Sequence, residues 1–296
     1  MLIPLAKGCR GGFTSRGRTA TIKDCLALNN TSIGFQIGEA QEHRDGEAGK
    51  NLMVVGNRAI DNGNHGFYSP IKLYRANIKD NLALRNNGTG FVFNASGMVE
   101  TTLDNNQAIE NTGVGFDIKV STTTGAFINL VFSNNRALRN KEGLTLQGGN
   151  DISKNVKFIN NTVTESLERG VQIQAGEFED LLFNQNYFDG NGFANFVFDA
   201  AIVGRPLKWS ENRGMPTGYD PTRQMISGEN GLFDIPIRKT PKRPDIFLTA
   251  QGNRIAFVNA MQTDNDGNYI GATGQVRRAD TNEPSEGDIV YILVEY

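Results

Sequence analysis

From Ile78 the chain reads Ile78-Lys79-Asp80-Asn81-Leu82-Ala83-Leu84-Arg85-Asn86-Asn87-Gly88-Thr89-Gly90-Phe91-Val92-Phe93, with short runs of alternating apolar and polar residues that break at asparagine or glycine. Period-two alternation marks strands with one face buried, and asparagine and glycine mark the turns between them. The phrase recurs from Leu103 through Asn106, Ala108, Ile109, Asn111 and Gly115-Phe116 to Ile118, and again near Gly34-Phe35, Gly66-Phe67, Gly143-Leu144, Gly170-Val171 and Asn195-Phe196. Its punctuating positions are Cys25, Asn57, Asn81, Asn106, Asn135, Asn161, Asn186 and Asn212, at intervals of 32, 24, 25, 29, 26, 25 and 26 residues. Such a period predicts a repeat architecture in which each unit buries its apolar face only against its neighbours.

A unit near that length fits one coil of three short strands, stacked on the next at about 4.8 Å. The sequence therefore predicts an all-β right-handed parallel solenoid of about eight coils, on the order of 40 Å long, followed by a small antiparallel β domain. Stacked asparagines at one corner should form a ladder, in a residue type that also tolerates left-handed backbone. Phe35, Phe67, Phe91, Phe116, Leu144, Val171 and Phe196 should stack as one interior column, with a small residue often second in the strand after the asparagine corner. The variable turn falls after the glycine strand, where insertions at Gly38 to Lys50 and Lys119 to Asn129 would wall one edge. A leucine-rich repeat would need a leucine consensus at shorter period, and an α-solenoid is excluded by the glycine and asparagine content.

Residues 1–214 form the predicted solenoid, 215–245 a linker and connection, and 246–296 the terminal domain. Its strand-like runs are Ile246-Phe247-Leu248, Arg254 to Val258, Gly274-Gln275-Val276 and Ile289 to Val294. The last run suits either a core strand or a surface buried between identical chains. Asp264 to Asn268 resembles a calcium loop in part, but lacks the later glutamate ligand and reads as a hairpin turn. The abrupt start at Gly12-Phe13 leaves the first coil without a convincing cap, an expectation of a longer chain or of a covering partner.

Composition narrows the chemistry. A net charge of −2 over 296 residues provides no basic excess for phosphates, so nucleic acid is not an expected partner. No apolar run approaches membrane-spanning length, and Met1 to Leu5 is too short for a signal peptide's apolar region. Cys9 and Cys25 have neither metal-ligand nor redox spacing.

Outward positions on the glycine strand then become the candidate binding strip. They include Tyr68, Thr145 and Gln172, and two residues further on Asn94, Gln147, Gln174 and Asp199. Amides, a hydroxyl and a carboxylate in a line suit an extended carbohydrate. Asp117 and Lys119 fall one coil from Glu142 and two from Arg169, which makes these four the candidate catalytic group. A basic side chain there would serve β-elimination of an acidic polysaccharide, whereas two carboxylates would serve hydrolysis. A surface salt-bridge cluster is the competing reading. His43 and His65 read as solvated loop residues.

The phrase Asn-x-Ala-hydrophobic-x-Asn followed by Gly-Phe resembles the coils of pectate-lyase-like β-helix proteins, particularly polysaccharide lyase family nine, over about residues 12 to 214. That resemblance implies calcium held by acidic residues around Gly115-Phe116-Asp117, with Asp117 the matching ligand, and a lysine base after a nearby Gly-Phe. Gly113 and Val114 stand where further acids are expected, and Tyr68 and Val92 where the lysine is. The architecture is also similar to the C-terminal part of bacteriophage tailspikes. This implies a homotrimer on a virion surface or otherwise outside the cell, acting on a bacterial surface glycan or another acidic polysaccharide. A noncatalytic glycan-binding spike and a structural adhesin are the alternatives.

Overall fold

The computed structural model describes residues 3–15, 19–38, 49–120, 125–192, 194–202, 208–210 and 212–213, and beyond them seven backbone strands between 219 and 295. Eight parallel strands follow the asparagine corner: Leu5–Lys7, Leu26–Leu28, Arg58–Ile60, Leu82–Leu84, Gln107–Ile109, Arg136–Leu138, Thr162–Thr164 and Tyr187–Asp189. They stack in one sheet in chain order, giving about seven turns of solenoid. The remaining strands of each coil join a second, 19-stranded parallel sheet.

Middle coils contain four strands rather than the three expected. Between the glycine strand Phe91–Ala95 and the pre-corner strand Thr102–Asp104 lies Gly97–Val99, paired with Ala126–Ile128 below and Leu73–Tyr74 above. The turn expected to vary is thus itself stacked. Most of the first insertion, including His43, lies outside the described residues, as do 121–124 of the second.

The asparagine ladder is present, and a second one runs beside it. Asn57 donates from Nδ2 to Asn81 Oδ1 at 3.0 Å and to the Ile22 carbonyl at 2.9 Å, while its backbone N–H donates to the same Asn81 oxygen. The pattern repeats down to Asn212. Asn30, Asn62, Asn86, Asn111 and Asn140 form the second ladder at the other end of the post-corner strand. Both ladders begin at cysteine: the Cys25 N–H donates to Asn57 Oδ1, and the Cys9 N–H to Asn30 Oδ1. Burial of these amides is affordable because their donors and acceptors are shared from coil to coil.

Left-handed backbone, however, is not in the ladder asparagines. It falls on the residue before each, as at Asp80, Asn105, Asn134 and Asn160, and at two further corners of the coil, such as Arg85 and Glu100. The αL cost at these non-glycine residues is on the order of 1–3 kcal/mol each. Most of these corners also donate their N–H to the next coil, as Arg85 does to the Ile109 carbonyl at 3.0 Å. At the corner preceding the second ladder the charges alternate, Asp61 with Arg85 and Arg139 between Glu110 and Glu165.

Glycine and alanine explain how the coil closes. A Cβ on Gly90 would lie 2.7 Å from the Gly115 carbonyl oxygen and 3.0 Å from the Ala108 Cβ. The small residue in the post-corner strand and the glycine opening the next strand therefore need each other. Where Val163 replaces the alanine, a Cβ on Gly143 would come closer still to its Cγ1.

All the predicted interior residues, from Phe35 to Phe196, are buried. Rings of Phe13, Phe35, Phe67, Phe91 and Phe116 stack 4.6–5.1 Å apart. Leu144 ends that stack, Phe116 meets Phe132 edge-on, and the aromatic column continues on the pre-corner strands as Phe132, Phe158 and Phe183. Parallel stacking at this distance adds to burial without leaving voids.

Val197–Asp199 and Met215–Tyr296 form a separate compact unit. Its strands pair antiparallel, and two of them, Tyr219–Ile226 and Leu232–Asp234, lie in the stretch expected to be linker. The final strand, Ile289–Glu295, pairs on one side with Tyr219–Ile226 and on the other with Arg243–Thr249, so it is interior to its own sheet. The Asp264 to Asn268 turn lies outside the described residues.

Candidate functional site

The glycine strands carry three outward columns. Two residues after the glycine, Tyr68, Val92, Asp117, Thr145 and Gln172 are neighbours in that order, because Phe67, Phe91, Phe116, Leu144 and Val171 pair in register. Two residues further, Asn94, Lys119, Gln147 and Gln174 form the second column. The third lies just before the glycine and includes His65, Thr89, Val114, Glu142 and Arg169.

Asp117 is the centre of this face. Its Oδ2 accepts an ion pair from Lys119 Nζ at 3.1 Å, and its Oδ1 is buried with no hydrogen-bond partner among the described residues. Burial raises the Asp117 pKa, partly opposed by Lys119 and by His65. One coil on, Glu142 Oε1 pairs with Arg169 Nη1 at 3.1 Å, and Glu142 Oε2 accepts a long hydrogen bond from Thr145 Oγ1 at 3.5 Å. Thr145 is the coil neighbour of Asp117, so the structure brings Asp117, Lys119, Glu142 and Arg169 together as two ion pairs, one within a coil and the next bridging the two coils that follow.

His65 belongs to this group, contrary to its reading as a solvated loop residue. It is half-buried, its Nδ1 accepts from the Thr89 N–H at 3.2 Å, and its ring stacks on Tyr68 at 5.9 Å. Burial lowers its pKa, against the charge of Asp117. The available signal was its place immediately before Gly66-Phe67, the same place Glu142 and Arg169 hold in their own coils.

Not every outward residue is open. Thr145 is 2% and Gln172 9% exposed, covered by the coils on either side, whereas Tyr68, Asn94, Gln147 and Gln174 are half-exposed. The side chain of Asp199, in Ala194–Ile202, lies outside the described residues. A calcium cage needs six or more oxygen ligands. Here Lys119 already occupies one oxygen of Asp117, Gly113 and Val114 bring no carboxylate, and no three His, Cys, Asp or Glu converge as a metal site among the described residues. The residues present do not fit that ion.

Residues 45–128 match the family model of the right-handed β-helix region. No curated protein matches the chain. Coil-by-coil parallel pairing continues on either side of that segment, so the described residues form an all-β parallel solenoid whose middle coils are similar to the right-handed β-helix region.

Proposed function

We propose that the glycine-strand face binds an extended glycan along its coils and hydrolyses it, with Asp117 as general acid and Glu142 as general base. What carries this reading is the placement of Asp117, with its raised pKa, one coil from an ion-paired carboxylate. The pairing of Asp117 with Thr145 and the Thr145–Glu142 contact put the two carboxyl groups on the order of 5 to 10 Å apart, the span in which the paired carboxyl groups of glycosidases fall. Asp117 gives its proton to the glycosidic oxygen as the bond to the anomeric carbon breaks. Glu142 takes a proton from the water whose oxygen attacks that carbon. Lys119 and Arg169 orient the two carboxyl groups, and Tyr68 offers a ring for a sugar face. Hydrolysis is favoured over elimination because Lys119, the nearest basic group, is tied to Asp117.

Release of new reducing ends from a panel of surface and plant polysaccharides tests the reading, with Asp117→Asn and Glu142→Gln each slowing it about 100-fold or more. No product from any glycan, or full rate in both variants, would overturn it; an unsaturated product would indicate elimination instead. A noncatalytic glycan-binding role is the second reading. It is favoured by both cations being neutralised in ion pairs, and it expects binding that survives Asp117→Asn without product.

A further inference from the structure

A concave surface among the described residues lies on another face of the solenoid. Two hollows of about 350 and 980 Å³ follow the corner where the pre-corner strand turns through the first ladder, and they share Asn134 and Asn160, so they form one trough across successive coils. The buried ladder is its floor. One wall is the exposed left-handed corner, where Asn160 Nδ2 donates to Asn134 Oδ1 at 2.8 Å and Asn160 Oδ1 has no partner among the described residues. The other wall is the first position of the post-corner strands, where Arg136, Thr162 and Tyr187 pair in register one coil apart, with Arg213 bridged to Tyr187 below.

The chemistry of this trough differs from that of the glycine-strand face. No carboxylate lines either hollow among the described residues, and Arg136 and Arg213 make no ion pair there. Tyr187 is 41% exposed, its hydroxyl tied to Asp189 and its ring open. Amides repeated at the coil spacing satisfy hydroxyls along a chain, an open ring takes a sugar face, and unpaired guanidinium groups take carboxylates or sulfates. A protein partner would find few apolar anchors in it.

We infer that the asparagine corner is a second, noncatalytic glycan track that holds a strand of anionic polysaccharide along the solenoid axis. It is independent of the chemistry proposed for the other face. In this arrangement the track retains a polymer while the glycine-strand face engages the same or another chain, which raises its effective concentration there.

Titration calorimetry of the full chain with an oligomannuronate long enough to cross four coils, and with its carboxyl-reduced neutral counterpart, tests the inference. Arg136→Glu and Tyr187→Ala are each expected to weaken the acidic oligomer about tenfold or more, the neutral oligomer to bind the wild type at least about tenfold more weakly, and Arg75→Ala, at a corner that lines neither hollow, to leave acidic binding unchanged. Unchanged affinity in both corner variants, equal binding of the neutral oligomer, or no binding to the wild type would overturn it. Loss of acidic binding only in Tyr68→Ala would also overturn it, by assigning the ligand to the other face, and would leave the hydrolytic reading standing.

Discussion

Asn81 donates twice to a single oxygen, Asn106 Oδ1, from its backbone N–H at 3.2 Å and from Nδ2 at 2.9 Å. Asn106 repeats the arrangement towards Asn135 and also donates to the Ile78 carbonyl. A single ladder residue thus satisfies buried groups in the coils on both sides. Asn106→Ala should cost about 3 kcal/mol, since unsatisfied buried donors lose their full desolvation energy. Urea unfolding measures this, and a loss similar to that of a surface substitution would contradict the account.

Phe91 lies between two parallel rings and is fully buried. Phe91→Ala should cost about 3–5 kcal/mol through lost transfer energy and a cavity that the flanking coils cannot close. Phe91→Leu should recover most of it, which distinguishes volume from ring stacking in the same unfolding experiment.

Gly90 is required by packing, with no positive φ. Gly90→Ala drives a Cβ into the Gly115 carbonyl and should destabilise by about 1–3 kcal/mol. If the clash with the Ala108 methyl dominates, Ala108→Gly added to Gly90→Ala should restore part of the loss; a purely additive double variant would assign the strain to the carbonyl.

His65 has its pKa lowered by burial, and its Nδ1 accepts the Thr89 N–H, a bond that protonation of that nitrogen removes. Its contribution is therefore present above the unfolded histidine pKa of about 6.5 and is lost as pH falls through the folded value. The stability of the wild type should fall over that window more than that of His65→Gln, as read by denaturant midpoints across pH. Parallel curves would show that His65 titrates as a solvated group.

Asp117 runs the other way. Its folded pKa is raised, so the fold favours its protonated form: that stability is present below the unfolded value of about 3.9 and is lost as pH rises through the folded value. Asp117→Asn should therefore be more stable than the wild type at pH 7, and this advantage should shrink as the solution is acidified. A destabilised Asn variant at neutral pH would mean that the Lys119 ion pair outweighs burial.

The sequence by itself determined the coil. Its spacing of asparagine, glycine and phenylalanine set the strand register, the interior column and the first ladder, because a solenoid presents each coil with the same neighbours and so repeats each requirement in the chain. It also placed Asp117, Lys119, Glu142 and Arg169 on three successive coils, since coil length converts sequence offset into adjacency. What only the tertiary structure decided lies across coils and off the strands. Left-handed corners at Asp80 and Arg85, the second ladder, the burial of Thr145 and Gln172, the approach of His65 to Asp117 and the concavity beside Asn134 and Arg136 depend on how side chains of separate coils lean and shield one another. Periodicity specifies which residues are neighbours; the packing of those neighbours sets their exposure, their charge and the surface left for a ligand.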